Sequence, residues 1–99
     1  MNKIVNKIEE WSVDRNLSTA DPTKQMLKLI EEVGEIAEGL AKGNEDMIKD
    51  GIGDTVVVLT ILSQQLNTNL KECTSIAYNE IKDRKGKMVD GVFVKESDL

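Results

Sequence analysis

The chain lacks several residue types that common catalytic sites need. Its 99 residues include no histidine, one cysteine, and one residue each of Trp, Tyr and Phe. Without histidine, a Ser-His-Asp triad, a Cys-His pair and any His-ligated zinc site are excluded. Cys73 has no second cysteine in the chain with which to form a disulfide, which is typical of a reducing compartment. The scarcity of aromatic side chains means that the core must be aliphatic.

Long apolar runs and an excess of positive charge are also missing. The longest nearly apolar run, Val56 to Leu62, is far shorter than the roughly 20 residues that span a bilayer. The segment from Met1 to Trp11 is amphipathic and does not resemble a signal peptide. A net charge of -5 disfavours binding to nucleic-acid polymers or anionic membranes. We therefore expect a cytoplasmic protein whose chemistry uses carboxylates, lysines and a hard metal ion.

Apolar periodicity and capping signals predict four helices in a single domain that spans residues 1–99. The predicted helices run from about Asn2 to Arg15, from the Asp21-Pro22 start to about Lys42, from the cap Asn44 to about Leu66, and from the cap Asn69 to a last turn containing Lys82, Arg84 and Lys85. Gly43 and Gly86 are expected just past the ends of the second and fourth helices. An Asp90-Gly91 pair between β-forming residues predicts a short hairpin at the C-terminus.

The run from Thr55 to Leu62 is rich in β-branched residues and is also compatible with a buried strand. The chain offers no second strand of similar strength, so a helix that is apolar on all sides is the more economical interpretation. Such a helix has more apolar surface than one small protomer can cover. We therefore predict an all-α four-helix bundle with a C-terminal β-hairpin that self-associates.

Acidic residues on the second and third helices are predicted to converge. Asp54 continues a helical face with Val57 and Ile61, so its carboxylate lies at the edge of a buried surface and needs a cation. If Gly43-Asn44 is a tight turn, the two helices are antiparallel. Glu32 then lies at nearly the same height as Asp54.

Counted in residues from the Gly43-Asn44 turn along each helix, Glu35 also lies near the height of Asp50. These four carboxylates would repel one another strongly unless a divalent cation held them. Oxygen ligation without histidine or cysteine selects Mg²⁺, or Mn²⁺ in its place. On the second helix alone, a solvated charged stripe is the simpler explanation, and Asp54 is what favours a metal site.

Several segments together resemble a known family. Gln25-x-x-Lys28-Leu29-x-Glu31-Glu32-x-x-Glu35, the later Gly53-Asp54 with its aliphatic run, and Asn79-x-x-Lys82 are similar to the motifs of the MazG-like all-α nucleoside triphosphate pyrophosphohydrolases. Trp11 and Arg15 in the first helix extend the resemblance over nearly the whole chain. The tail from Lys82 to Lys95 looks like that of small variants common in phages and their hosts. The resemblance implies Mg²⁺-dependent hydrolysis of a nucleoside triphosphate to a monophosphate and pyrophosphate, by a protein that assembles as a homodimer or homotetramer.

The resemblance also implies roles for individual residues. Glu32, Glu35 and Asp54 would be metal ligands with Asp50 as a fourth, Glu31 or Glu35 would act on the attacking water, and Trp11, Arg15, Lys28, Asn79 and Lys82 would bind substrate. Two of these assignments have equal alternatives: Lys28 can pair with Glu32 instead of phosphate, and Trp11 can be a core or interface residue. Glu38 is expected at the surface, and Cys73 is expected to pack.

One position departs from the family pattern. In the family, the helix that follows E-E-x-x-E carries an E-x-x-D motif, whose aspartate corresponds to Asp54 here. The glutamate of that motif would fall at position 51, where this chain has glycine, and Asp50 is the nearest carboxylate. This departure supports a second hypothesis, a nucleotide-binding homologue with impaired catalysis. A third hypothesis is a helical interaction module whose acidic faces only confer solubility.

Overall fold

The computed structural model describes residues 2–99, and of Asn2 it describes the backbone only. It contains α1 (Asn2–Asp14), α2 (Pro22–Lys42), α3 (Glu45–Gln65), α4 (Leu70–Ile81), β1 (Gly86–Val89), β2 (Val92–Lys95) and a terminal 3-10 turn (Glu96–Asp98). The predicted all-α architecture with a C-terminal hairpin is confirmed. Within residues 2–99, each helix is too short or too polar to cross a membrane.

Local capping signals explain where the helices begin. The Asp21 carboxylate accepts a hydrogen bond from the Thr23 amide at 2.9 Å, and Pro22 follows as the first helical residue. The Asn44 and Asn69 side chains accept from the amides three residues later, at 3.2 and 2.8 Å. Gly43 adopts φ 64°, the left-handed conformation that ends α2 and lets α3 begin almost at once.

The end of α4 differs from the prediction. The helix stops at Ile81, so Arg84 and Lys85 lie beyond it, and Gly86 is the first residue of β1. The cluster of Lys82, Arg84 and Lys85 indicated a helix C-terminus in the sequence, because Lys and Arg side chains are favourable at that end of a helix. Gly86 is needed for another reason: a Cβ there would overlap the Val94 carbonyl oxygen and lie 2.7 Å from the Phe93 ring. The glycine therefore permits close pairing of the strands.

The hairpin itself follows its sequence signal. β1 and β2 are antiparallel, with Val89 paired to Val92 across the turn. Asp90 and Gly91 both have positive φ, at 51° and 81°. Two consecutive positive φ values are the signature of the tight turn that Asp-Gly favours.

Helices α2 and α3 form an antiparallel hairpin that makes the main packing contact of the molecule. Glycines allow the close approach: a Cβ on Gly39 would lie 3.0 Å from Ile48, and one on Gly51 would lie 2.8 Å from Ile36. The segment from Val56 to Leu62 is helical, as predicted, and it contributes Val58 to the core. A strand interpretation of this segment is therefore wrong.

Helix α1 packs on the other side of α3. Two small side chains, Ser12 of α1 and Thr60 of α3, are completely buried. Two glutamine side chains of α3 tie this region together. Gln64 donates to the Glu9 carbonyl at 3.2 Å, and Gln65 donates to the Leu17 carbonyl at 3.0 Å. These bonds fix α1 and the following loop against the end of α3.

Helix α4 and the hairpin project from this three-helix body. In α4 only Leu70, its first residue, is buried, and the following residues to Ile81 are exposed. The radius of gyration is 16.1 Å, against about 13 Å for a compact chain of this length. We call residues 71–95 the arm, since they extend away from the packed helices.

Candidate metal centre

Three carboxylates converge between α2 and α3. Glu32, Glu35 and Asp54 each offer an oxygen atom, and these atoms all lie within 4.8 Å of one another. Glu32 and Glu35 are neighbours because residues three apart lie on the same side of a helix. The antiparallel packing of α3 then brings Asp54 beside them. The predicted convergence of these three residues is present in the structure.

The group runs from the interior to the surface. Glu32 is only 5% exposed, Asp54 is half-buried and Glu35 is exposed. The Nζ of Lys28 lies 3.5 Å from Oε1 of Glu32, which makes one ion pair at the edge of the group. The other oxygen, Oε2 of Glu32, is buried and has no hydrogen-bond partner among the described residues. A buried carboxylate oxygen without a partner carries a large desolvation cost.

Mutual repulsion and burial raise the pKa values of two of these carboxylates. The neighbouring charge of Glu32 raises the pKa of Glu35 above its ordinary value. Burial raises the pKa of Asp54, and the nearby Asp50 and Glu32 raise it further. The pKa of Lys28 is raised as well, because Glu32 accepts a hydrogen bond from its ammonium group. The site therefore holds more negative charge than its own cation balances.

These features fit a divalent cation. Carboxylate oxygens are the ligands that Mg²⁺ and Mn²⁺ prefer, and histidine and cysteine are not needed. The unpartnered oxygen of Glu32 marks a position where a positive charge would remove the desolvation cost. Glu32, Glu35 and Asp54 are the residues that could hold such an ion.

Two predicted residues lie outside this three-carboxylate group. Asp50 is exposed one turn before Asp54, near enough to raise the pKa of Asp54 but not part of the group that the described residues form. Its assignment as a ligand stays a prediction. Glu31 is an exposed neighbour, with Oε2 lying 3.8 Å from the Nζ of Lys28. Lys28 thus contacts both glutamates, and its pair with Glu32 is the one that the sequence offered as the alternative to phosphate binding.

Gly51 has a structural role that sequence reasoning missed. It is buried, and its Cα faces Ile36 of α2 so closely that a Cβ would lie 2.8 Å from the Cγ1 atom of Ile36. A glutamate at this position would have to displace the Ile36 side chain, whereas the backbone nitrogen and Cα of Ile36 would lie at 3.5 and 3.6 Å from the new Cβ, an ordinary contact distance. The departure from the family pattern is therefore linked to tight α2–α3 packing.

An apolar groove lies beside the carboxylates. One part, about 380 Å³ in volume, is lined by Ile4, Lys7, Ile8, Trp11 and Val57. A second part of about 450 Å³ shares three of these residues and extends to Gly53 and Val56. Gly53 and Val57 flank Asp54 on α3, so the groove and the carboxylate group are adjacent along this helix. Sequence reasoning did not predict this groove, and the i, i+4, i+7 spacing of Ile4, Ile8 and Trp11 is the signal that could have indicated it.

Trp11 borders this groove and is 45% exposed, so it is not a core residue. The guanidinium of Arg15 lies over the indole ring, 4.3 Å from its centroid, and also donates to the Trp11 carbonyl. The pair forms a cation–π contact at an open surface. Their assignment to substrate binding stays a prediction, with an exposed aromatic face available to stack.

The last two predicted binding residues lie on the arm. Asn79 is exposed in α4, and Lys82 caps the helix C-terminus. Asn79 is nine residues beyond Leu70, the buried start of α4, or about 13 Å along the helix axis. The packing of a single protomer does not bring these residues into the carboxylate group, and their role stays a prediction.

Comparisons with known proteins give one family and one relative. The model of the MazG nucleotide pyrophosphohydrolase domain matches residues 20–88. The chain is 47% identical over 66 residues to a protein of Haemophilus phage HP1 (strain HP1c1), described as an uncharacterized 18.2 kDa protein in the rep-hol intergenic region. This match covers 66% of the chain and 40% of the phage protein. No solved structure matches the chain significantly.

Proposed function

The chain belongs to the MazG nucleotide pyrophosphohydrolase family, and we propose that it hydrolyses nucleoside triphosphates to monophosphates and pyrophosphate. The observation that carries this proposal is the three-carboxylate group of Glu32, Glu35 and Asp54, with its unpartnered buried oxygen. The enzyme would act in the cytoplasm and depend on Mg²⁺. Its role would be to control or clean the nucleotide pool.

The three carboxylates would hold the metal, with Asp50 as a fourth ligand. A divalent cation bound there would supply positive charge that polarises the phosphoryl oxygens and offsets the charge of the pyrophosphate leaving group. The partly buried position of Glu32 and Asp54 supports this assignment, since low solvent exposure strengthens their interaction with a cation. Lys28 would contact a phosphate oxygen from the edge of the group.

Glu31 would orient the attacking water and accept its proton, because it lies beside the group without belonging to it. The water oxygen forms a bond to the α-phosphorus, while the bond between the α-phosphorus and the oxygen that bridges it to the β-phosphate breaks. The proton passes to the carboxylate, and the electron pair of the broken bond leaves with pyrophosphate. Glu35 is the alternative acceptor, but a role as metal ligand would occupy its carboxylate.

The apolar groove beside Asp54 would receive the nucleoside. Trp11 offers an exposed indole for stacking with the base, and Arg15 holds that ring from its other side. Ile8 and Val57 supply an apolar floor. This places the base and the phosphates on the two neighbouring parts of one surface.

Gly51 supports one second candidate function, a nucleotide-binding protein with impaired turnover. Gly51 lacks the carboxylate that the family motif has at this position, and a side chain there would have to displace the side chain of Ile36. Fewer ligands would weaken the hold on a second metal ion. Binding without hydrolysis would then be the result.

The deciding experiment measures pyrophosphate release from a panel of canonical and modified triphosphates, with Mg²⁺ and with a chelator. We expect Mg²⁺-dependent release that falls at least about 100-fold in Glu32→Gln and Glu35→Gln. The matched control is Glu38→Gln, on the same helix but in an exposed ion pair with Lys42. It should retain wild-type activity.

Thermal stability separates the alternatives. A bound ion should raise the melting temperature by mass action in the wild type but not in Glu32→Gln. A stability gain from Mg²⁺ and nucleotide without pyrophosphate release would favour the binding protein. Activity that survives Glu35→Gln in a folded variant would contradict the site assignment.

A further inference from the structure

The polar side chains that line the apolar groove are all hydrogen-bond donors. The first part of the groove contains Lys7 and Trp11 beside three aliphatic residues, and the second part adds only Val5, Gly53 and Val56. Lys7 carries an ammonium group and Trp11 carries an indole N–H, and neither group can accept a hydrogen bond. The side chains of the groove can therefore give hydrogen bonds to a ligand but cannot receive any.

The backbone does not supply the missing acceptors. All the lining residues lie within α1 or α3, and a carbonyl oxygen in a helix interior already accepts from the amide four residues later. Near the end of α1, the Trp11 carbonyl accepts instead from the guanidinium of Arg15 at 3.2 Å. A ligand in the groove thus meets carbon atoms and the two donors.

The ammonium group of Lys7 is free to meet a ligand. Within residues 2–99, the ion pairs are made by Lys28, Lys42 and Lys95, and none involves Lys7. The Lys7 side chain is exposed at the groove. Its flexible four-carbon stem lets the ammonium reach an acceptor in several directions. Lys7 can therefore form a new charged hydrogen bond without breaking an existing ion pair.

Trp11 cannot perform this task when a base stacks on it. The indole N–H lies in the plane of the ring, so a base on the ring face is out of its reach. Lys7 precedes Trp11 by four residues, and residues four apart are neighbours on one side of a helix. Arg15 covers the other face of the ring. Lys7 is therefore the donor beside a base that is stacked on the exposed indole face.

Nucleobases differ in what their edges offer to a donor. Guanine and hypoxanthine present two adjacent acceptors, O6 and N7, whereas adenine presents an amino group beside N7. Uracil and thymine present a carbonyl oxygen where cytosine presents an amino group. A lysine ammonium pairs well with the first kind of edge, while reading adenine takes a side chain that both donates and accepts.

We propose that Lys7 is a specificity-determining residue that makes the protein prefer guanine, hypoxanthine, uracil and thymine nucleotides over those of adenine and cytosine. The inference rests on the proposed function, in which the groove receives the nucleoside. The groove supplies stacking and apolar contact to every base alike, so its one free cation carries the discrimination. The preferred substrates are triphosphates whose base has a carbonyl oxygen on the edge that faces Lys7.

The test compares two pairs of triphosphates whose bases differ in this way, ITP with ATP and UTP with CTP. The values of kcat/KM are measured with Mg²⁺ for the full-length wild type, Lys7→Met and Lys7→Gln. We expect the wild type to favour the carbonyl member of each pair by about 10-fold or more, the effect of one charged hydrogen bond. In Lys7→Met both ratios should fall to within about threefold of one. Lys7→Gln should shift the purine ratio toward ATP, because an amide both donates and accepts.

Lys3→Met is the matched control. Lys3 is exposed on α1 one turn before Lys7, and it lines neither part of the groove. Its replacement removes the same charge from the same helix, so both substrate ratios should stay at the wild-type value. A ratio of two substrates on one variant does not depend on how much of that variant is folded. The ratios therefore report on the base contact and not on stability.

Binding without turnover separates this inference from the proposed hydrolysis. Dissociation constants of the α,β-methylene analogues of the same four triphosphates are measured by titration calorimetry in the wild type and the variants. A carbonyl preference that is lost in Lys7→Met, in a protein that releases no pyrophosphate, would reject the proposed reaction and support the role of Lys7.

Four outcomes overturn the role of Lys7. They are equal constants for the two members of each pair in the wild type, a preference for the amino bases, a carbonyl preference that survives Lys7→Met, and no binding of any analogue. An equal loss for all four nucleotides in Lys7→Met, with the ratios unchanged, would place the ammonium on the phosphates or the sugar and would also reject the proposal.

Discussion

The α2–α3 hairpin and the arm begin from similar local signals but differ in how their residues are buried. Both α3 and α4 start at an asparagine whose side chain caps an amide three residues later. In α3 the cap is followed by buried residues, among them Val58 and also Gly51, which lies against Ile36 of α2. In α4 burial stops at Leu70. This difference shows that capping specifies where a helix starts, whereas tertiary packing determines how stable the helix is.

The largest expected effect comes from adding a methyl group inside the hairpin. Gly51→Ala should lower the free energy of unfolding by about 1–3 kcal/mol, because the new Cβ would overlap the Ile36 side chain and force it out of its packed position. The measurement is urea unfolding followed by circular dichroism.

Gly53→Ala is the matched control, two residues away in the same helix with open space around its Cα. It should leave stability unchanged or raise it by up to about 1 kcal/mol, since alanine favours helix. Equal destabilisation by both changes would mean that helix propensity, and not packing of α2 on α3, determines the result.

A smaller effect is expected when the same cap is removed from each region. Asn44→Ala should lower the free energy of unfolding of the whole protein by about 1 kcal/mol, because α3 is part of the core. Asn69→Ala removes an equivalent bond in α4, and we expect its cost to appear mainly as local opening of the arm.

Amide hydrogen exchange measures this difference residue by residue. Faster exchange should be confined to α4 and the strands in Asn69→Ala, and should extend through α2 and α3 in Asn44→Ala. Uniform changes in both variants would show that the arm and the hairpin unfold as one cooperative unit.

The smallest effect concerns acidity in the hairpin. The charge of Glu32 raises the pKa of Glu35, and burial raises that of Asp54, so the metal-free folded protein binds protons more readily than the unfolded chain. Their contribution to stability is therefore present below the unfolded pKa values of about 4 and is lost as the pH rises through the raised values.

Melting temperatures in the presence of a chelator test this dependence. Glu35→Gln should be more stable than the wild type near about pH 7.5, where it removes repulsion, and the gain should shrink toward about pH 5. Glu38→Gln, outside the carboxylate group, should follow the wild type. A gain that grows toward acidic pH would contradict the direction of the pKa shifts.

Much of the fold follows from local sequence. Asp21-Pro22, Gly43, Asn44, Asn69 and Asp90-Gly91 each carry out the role that their residue types predict. The predicted end of α4 was wrong, because a cluster of cations followed by a glycine is also compatible with a hairpin that begins at Gly86. Local patterns do not distinguish a glycine that caps a helix from one that allows close strand pairing.

The site was predictable in part. Glu32, Glu35 and Asp54 were expected to converge because two helices joined by a tight turn must be antiparallel, and the structure brings them together. Spacing alone did not show that Asp50, one turn before Asp54, lies outside this group of three, because its position depends on how α3 is rotated against α2. Asn79 and Lys82 could not be placed either, since their position depends on where α4 leaves the bundle.

The sequence by itself determined the helical class, the helix starts, the hairpin turn and the identity of the acidic helix faces, because each depends on contacts between residues close in the chain. Tertiary structure decided the rest. The packing of α3 against α2, with Gly51 close to Ile36, decides that Glu32, Glu35 and Asp54 meet. The projecting arm was also set by packing, since burial depends on residues distant in sequence that no local pattern reports.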